Sequence, residues 1–227
     1  MIIVGDIGNT ETKILLINKN NRILKKIHLD TSMINSNTIK KSISTFNIKN
    51  NPIEKILFCS VVPKTFKIIK LILEKKYMLK CYELKNLNLS RLIKIKVNYK
   101  QIGSDRLANA ISIINNKDNF IVLDFGTATT FDVVIKNTYY GGVIAPGVKL
   151  SLETLTKKAT LIPNINLKKI TKVIGSNTIN AVRSGFFWGY TGLIDNIINL
   201  IKKETKKSFK IILTGGFSNL FKDSINR

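Results

Sequence analysis

Histidine is almost missing from this chain: His28 is the only one. No mechanism that needs two imidazoles is open to it, and any general base is a carboxylate drawn from 14 Asp and Glu residues. His28 itself, in Lys-Ile-His-Leu-Asp30, reads as an ordinary strand residue. Cysteine is nearly as scarce. Cys59 and Cys81 each stand beside apolar residues and no CxxC pair occurs, which reads as two reduced, buried thiols rather than a disulfide or a zinc site. Arginine is limited to positions 22, 91, 106, 183 and 227. No apolar run reaches the roughly 20 residues that a bilayer-spanning helix needs. Asp6 interrupts the apolar opening and no basic leader precedes it. A soluble, cytoplasmic protein with no membrane partner is expected.

What is abundant is lysine, alongside isoleucine and asparagine. The formal charge of +23 would by itself suggest nucleic acid. Yet Arg and interleaved aromatics, the usual tools of base readout and stacking, are sparse. Lys, Ile and Asn are the residues an AT-rich coding sequence over-uses, so the charge is read as composition rather than as a polyanion groove. An anionic substrate would still be attracted by the field. With 227 residues, 44% of them hydrophobic and 22% charged, the chain is globular, either one domain or two halves of about 110 residues.

Periodicity predicts strands over Ile2 to Asp6, Lys13 to Asn18 and Arg22 to Leu29, an antiparallel meander joined by tight turns. A helix is expected from Thr38 to Phe46, a strand from Lys55 to Ser60, and a helix from Pro63 with Phe66, Ile69, Leu71, Ile72 and Leu73 opposed by a lysine face. A strand from Leu79 to Leu84 follows, and then a helix from Asp105 to Ile114 with Leu107, Ala108, Ile111 and Ile114 on its apolar side. The pattern then starts again: strands Phe120 to Asp124, Thr130 to Ile135 and Thr138 to Ile144, a helix from Val148 to Thr156, a long one from Ser176 to Lys203, and a strand Lys210 to Thr214. The glycines at 185, 189 and 192 in the long helix predict close packing against another helix, or a bend. Asn115 to Asp118 is the expected boundary, dividing the chain into lobes 1–117 and 118–227.

Asp6-Ile-Gly-Asn-Thr10 follows the first strand of one half and Asp124-Phe-Gly-Thr-Ala-Thr-Thr130 that of the other. Glycine lets a strand-to-strand turn bring backbone N–H groups close to an anion, and Asn and Thr add polar groups for phosphate oxygens. An Asp there repels phosphate, so its natural work is to hold a cation beside it. A single such turn is explained equally by hairpin chemistry. Two in matched positions suggest a duplicated fold that faces both turns across a cleft holding a nucleoside triphosphate.

Gly103-Ser-Asp-Arg106 stands at an expected helix start, where Ser and Asp also serve as caps. In the functional reading Asp105 takes a proton from a substrate hydroxyl and Arg106 clamps an anionic part of the substrate. Gly141-Gly-Val-Ile-Ala-Pro-Gly147 is either a structural turn or a backbone wall against a ligand, and Leu213-Thr-Gly-Gly216 could lie under a nucleotide base.

Taken in order with Asn177-Thr178, Ala181, Gly185 and Gly189, these motifs resemble type III pantothenate kinases from residue 1 to about residue 220. The resemblance implies an α/β, duplicated ribonuclease H-like fold of the acetate and sugar kinase, actin and heat-shock ATPase superfamily. It implies phosphorylation of pantothenate by ATP, the first step of coenzyme A synthesis, with Mg²⁺ accompanying ATP, a monovalent cation (K⁺ or NH₄⁺), and a homodimer. By the same resemblance Asp6, Ile7, Gly8, Asn9, Thr10, Glu11, Thr12, Lys13 and Thr127 bind ATP, with Asp6 serving the divalent metal through water. Asp105 is the catalytic base; Tyr99, Gly103, Ser104, Asp105, Arg106 and Thr178 contact pantothenate; and Asp124 holds the monovalent cation. Tyr99 stands closer to Gly103 than its counterpart does in many members. The family usually continues past its Gly-Gly through another strand and helix, whereas this sequence stops at Arg227, so a shortened second lobe is expected. Two rival readings are a non-catalytic regulator on the same fold and a basic nucleic-acid-binding protein.

Overall fold

The computed structural model describes residues 1–46 and 52–225. The chain divides into two compact units, one formed by Met1–Leu92 with Asn98–Ser112, the other by Ile93–Val97 with Ile113–Arg227.

In the first unit, β1 (Ile2–Ile7), β2 (Glu11–Ile17) and β3 (Ile23–Asp30) form the expected antiparallel meander. Then come α1 (Ser36–Ser44), β4 (Lys55–Ser60), α2 (Pro63–Tyr77), β5 (Cys81–Glu83) and α3 (Ser104–Ile113). The sheet order is β3-β2-β1-β4-β5, with β4 parallel to β1 and β5 parallel to β4. Alternation along the strands sends Ile3, Ile7, Ile14, Leu16, Ile56 and Phe58 to one face, where they pack with Ile39 and Ile43 of α1 and Ile69 and Leu73 of α2. Each fully buried Ile or Leu there contributes about 1.5–3 kcal/mol. Asn35 caps α1 by accepting from the Asn37 and Thr38 amides, a contribution of about 1 kcal/mol. Pro63 opens α2 as expected, but Leu71 is 60% exposed rather than part of its apolar face.

In the second unit the meander recurs as β7 (Asn119–Phe125), β8 (Ala128–Ile135) and β9 (Thr138–Pro146), followed by α4 (Val148–Lys158), α5 (Thr178–Thr205), β10 (Lys210–Gly215) and α6 (Ser218–Phe221). The sheet order is β10-β7-β8-β9-β6, where β6 (Lys94–Ile95) is a two-residue edge strand parallel to β9. The run β9-β8-β7-β10 repeats β3-β2-β1-β4 strand for strand. β7 is buried on both faces, which explains its unbroken apolar run Phe120 to Leu123. On one face Ile121, Leu123 and Phe125 meet Phe187, Ile194 and Ile198 of α5. Phe221 stacks on Phe125 at 5.3 Å and on Phe187 at 5.7 Å between ring centroids.

The structure differs from expectation in the packing of two helices. A Cβ added at Gly185, Gly189 or Gly192 would meet nothing within 4 Å, so among the described residues this stripe of α5 does not pack closely against another helix. On α3 the buried residues are Ser104, Leu107 and Ala110, whereas Ala108 and Ile111 border a cavity. Among the described residues no helix is long and apolar enough to cross a membrane.

Candidate active site

Asp6, at the end of β1, lies directly opposite Lys13 of β2 and Cys59 of β4. Paired residues on neighbouring strands project to the same face, so the three side chains share the face that the apolar core leaves open. A cavity of about 400 Å³ opens there, lined by Val4, Asp6, Lys13, Leu15, Leu57 and Cys59 from the strands and by Ala108, Ile111 and Ser112 from α3. The Cys59 thiol donates to Asp6 Oδ1 at 3.5 Å and to the Gly5 carbonyl at 3.7 Å. Burial, the Asp6 charge and hydrogen bond, and then the Asp105 charge push that thiol far above its ordinary pKa. Asp6 and Asp105, remote in sequence, therefore bear on the same group. Cys59 is free, as expected, but it is half-buried and its neighbour is a carboxylate.

The turn after β1 is built by backbone: the Gly8 amide donates to the Glu11 carbonyl at 2.9 Å. Gly8 is half-buried, and Asn9, Thr10 and Glu11 are exposed. Ile7 and Thr12 point the other way and are fully buried, so only their backbone faces the turn. Thr31 braces it from behind, donating its hydroxyl to the Gly8 carbonyl at 2.8 Å and its amide to the Thr10 carbonyl at 2.9 Å. Its hydroxyl hydrogen being spent, Thr31 accepts from Thr12 across the 2.9 Å contact between them. Nothing in the sequence marked Thr31, because its role depends on strand register.

Asp105 lies in the first turn of α3 and its Oδ1 accepts from the Arg106 amide at 2.8 Å. A Cβ at Gly103 would overlap that same carboxylate oxygen, so a larger residue there would displace the Asp105 side chain. Ser104 is buried and donates its hydroxyl to Glu83 Oε1 at 2.5 Å. Its side chain thus ties α3 to β5, and a substrate would meet its backbone. Tyr99 begins a 3-10 turn (Tyr99–Gln101) and its phenol donates to the Lys85 carbonyl at 2.7 Å. Its hydroxyl is held above its usual pKa, by burial first and by the Glu83 charge second.

In the second unit, Asp124 is half-buried near the end of β7 and Thr127 is exposed in the following turn, where the Gly126 amide donates to the Ala128 carbonyl at 3.0 Å. Gly147 packs its backbone against this turn so tightly that a Cβ would overlap the Thr127 carbonyl. On the β10 side Gly215, at φ +87°, lies against Asp124 and the Phe125 backbone, a place that only glycine fills without strain. The two glycine-bearing segments left open by sequence are thus walls of the Asp124 turn. Thr178 is the exposed first residue of α5, capped by Asn177, whose side chain accepts from the Asn180 amide at 2.9 Å.

Among the described residues no three His, Cys, Asp or Glu side chains group as a metal site. A carboxylate such as Asp6, on the open face of the sheet opposite Lys13, fits a divalent ion that arrives with phosphate and keeps much of its water, as Mg²⁺ does with one or two carboxylates.

Two five-stranded mixed sheets that share a four-strand order, β3-β2-β1-β4 and β9-β8-β7-β10, each with an acid and a glycine turn after its first strand, define a duplicated ribonuclease H-like fold of the actin-like ATPase class. Solved structures agree at the level of fold. A protein from Campylobacter jejuni assigned to the Baf family of transcriptional activators matches with a TM-score of 0.57 at 20% identity, covering 99% of this chain and 88% of that one. A ROK family protein from Streptococcus pneumoniae TIGR4, solved with sucrose, matches with a TM-score of 0.52 at 12% identity over 99% and 84%. The family model for type III pantothenate kinases matches residues 2–200. A type III pantothenate kinase of Pelagibacter ubique (strain HTCC1062) is 73% identical over 99% of this chain and 91% of the relative. Another, from Sulfurihydrogenibium sp. (strain YO3AOP1), is 36% identical over 100% of this chain and 92% of the relative. The chain belongs to the type III pantothenate kinase family.

Proposed function

We propose that this chain transfers the γ-phosphoryl group of ATP to the terminal hydroxyl of pantothenate, giving ADP and 4'-phosphopantothenate, the first step of coenzyme A synthesis. The observation that carries the reading is a single cavity lined by Asp6 and Lys13 from the strands and by Ala108 and Ile111 of α3, the helix whose first turn carries Asp105, beside the backbone-built turn after β1. The turn from Gly8 to Glu11 cradles phosphate oxygens, and Lys13, opposite Asp6, neutralises them. Asp6 would hold Mg²⁺ through water, and the ion, when bound, would offset charge on the phosphates. The acceptor oxygen bonds to the γ-phosphorus, the bond from that phosphorus to its bridging oxygen breaks, and the hydroxyl proton passes to Asp105. Arg106 pairs with the pantothenate carboxylate, while Tyr99, Gly103, Ser104 and Thr178 border the substrate. Positioning and charge neutralisation supply most of the acceleration, the base a factor of roughly 10²–10⁴.

Thr127 contacts ATP in this reading, and Asp124 takes K⁺ or NH₄⁺. The lobes divide near residues 117 and 118, and the protein works in the cytoplasm, where its nucleotide is made. A homodimer is supported by the unfilled glycine stripe of α5 and by Trp188 beside it, which is 38% exposed. An ADP-release assay tests the whole. Release is expected to require pantothenate and to run faster in K⁺ than in Na⁺; release indifferent to pantothenate sinks the assignment.

A further inference from the structure

Residues 98–104 carry Tyr99 and lead into the start of α3, yet hold little structure of their own. Their 3-10 turn is closed by a bond from the Gln101 amide to the Asn98 carbonyl at 3.0 Å and a longer one from the Ile102 amide to the Tyr99 carbonyl at 3.4 Å. A single turn of three residues is too short to hold itself. What holds it comes from β5 and the 3-10 turn after it (Leu84–Asn86). Half-buried Lys85 donates from Nζ to the Ile102 carbonyl at 2.7 Å and to the Lys100 carbonyl at 3.2 Å. The same nitrogen lies 5.6 Å from the Tyr99 ring centroid, and the Tyr99 hydroxyl returns a bond to the Lys85 carbonyl at 2.7 Å. Two residues earlier, Glu83 accepts from the buried Ser104 hydroxyl at 2.5 Å.

We propose that Glu83 and Lys85 are positioning residues, a two-point clamp that sets the place of Tyr99 and of the Asp105-Arg106 pair relative to Asp6. The path is continuous. Asp6 lies on β1, β1 pairs with β4, and β4 pairs with β5 at Phe58 opposite Glu83. Glu83 then fixes Ser104, the residue before Asp105. The spacing between the metal-holding acid and the base is therefore set by three sheet strands and one hydrogen bond. Lys85 supplies charge-assisted bonds to two carbonyls at the end of the turn, the stronger kind of hydrogen bond. Misplacement of reacting groups by about 1 Å costs on the order of 10²-fold in rate, so the clamp matters to chemistry although neither side chain touches the phosphates.

The clamp rests on coordinates alone; its consequence for catalysis rests on the pantothenate kinase reading. Two measurements on the full chain separate them. By hydrogen exchange, Lys85→Met is expected to speed exchange across residues 99–104 and leave β1 and β4 unchanged. An unchanged segment, or a uniform rise through the whole unit, overturns the clamp whether or not the wild type phosphorylates pantothenate. By steady-state kinetics, Lys85→Met is expected to raise the pantothenate KM about tenfold while the ATP KM stays within about twofold, and Lys85→Arg to recover most of the loss. Glu83→Gln, which keeps an acceptor for Ser104, is expected to resemble the wild type, and Glu83→Ala to behave like Lys85→Met. Equal losses in Glu83→Gln and Glu83→Ala, or a Lys85→Met effect on ATP alone, overturn the positioning role. A wild type without pantothenate-dependent turnover sinks the kinase reading and leaves the exchange result to decide the clamp.

Discussion

Asp6 and Cys59 are direct partners across the parallel pair β1 and β4, and the thiol donates to the carboxylate at 3.5 Å. A thiol is a weak donor, and a single such bond is worth about 1 kcal/mol or less. Cys59→Ser keeps a donor at that position and is expected to leave turnover near wild type. Cys59→Val removes it without leaving a large void, and is expected to raise the Mg²⁺ concentration for half-maximal turnover about two- to fivefold. Titrating Mg²⁺ at saturating ATP checks this. Equal Mg²⁺ requirements in Cys59→Val and the wild type would show that the thiol does not orient Asp6.

Asp105→Asn keeps an oxygen for the Arg106 amide, which Asp105 Oδ1 now accepts at 2.8 Å. The helix start is therefore expected to survive and the melting temperature to change little. Turnover is expected to fall by roughly 10²–10⁴, the contribution of a general base, with ATP binding by calorimetry intact. Full turnover in this variant removes Asp105 from the role of base.

Much of the fold was legible because its cause is local. The meanders around Asp6 and Asp124 follow from alternation and turn residues, α1, α4 and α5 fall within a few residues of their predicted ends, and α2 begins at Pro63 as expected. The two acid-bearing turns could be placed because acid, glycine and small polar residues in that order favour a turn between strands. What escaped depends on register between distant segments. Thr31 behind the Gly8 turn, Cys59 beside Asp6 and Glu83 under Ser104 are ordinary residues in sequence and acquire roles only once strands are paired. β6 is two residues long and has no periodicity to read. The α5 glycines show the reverse: their spacing resembles a packing motif, but no helix among the described residues fills it.

Cys81 gives a pH test. It is 2% exposed, and burial first, then the Glu74 charge, push its thiol from 9.0 up to about 12. A folded pKa raised above the unfolded one means that the unfolded chain loses this proton first as pH rises. The contribution is thus fully present below about pH 9 and is lost progressively toward pH 12. Melting temperatures at pH 8 and pH 10.5 are expected to fall further for the wild type than for Cys81→Ala. Parallel falls would mean that the thiol does not resist ionisation in the folded state.

The second sheet contains a buried acid that sequence reading passed over. Asp132 of β8 is fully buried, and Tyr139 of β9, 1% exposed, donates its hydroxyl to Asp132 Oδ1 at 2.7 Å. A buried carboxylate deprived of a donor costs about 1–3 kcal/mol, so Tyr139→Phe is expected to lower the melting temperature by about 2–10 °C for a chain of this size. Replacing both partners is the sharper experiment, because it removes both halves of this hydrogen bond. Tyr139→Phe combined with Asp132→Val is expected to recover a good part of the stability that Tyr139→Phe alone loses, measured by urea unfolding. A double variant as unstable as the sum of the two single ones would show that Asp132 serves the sheet through groups other than Tyr139.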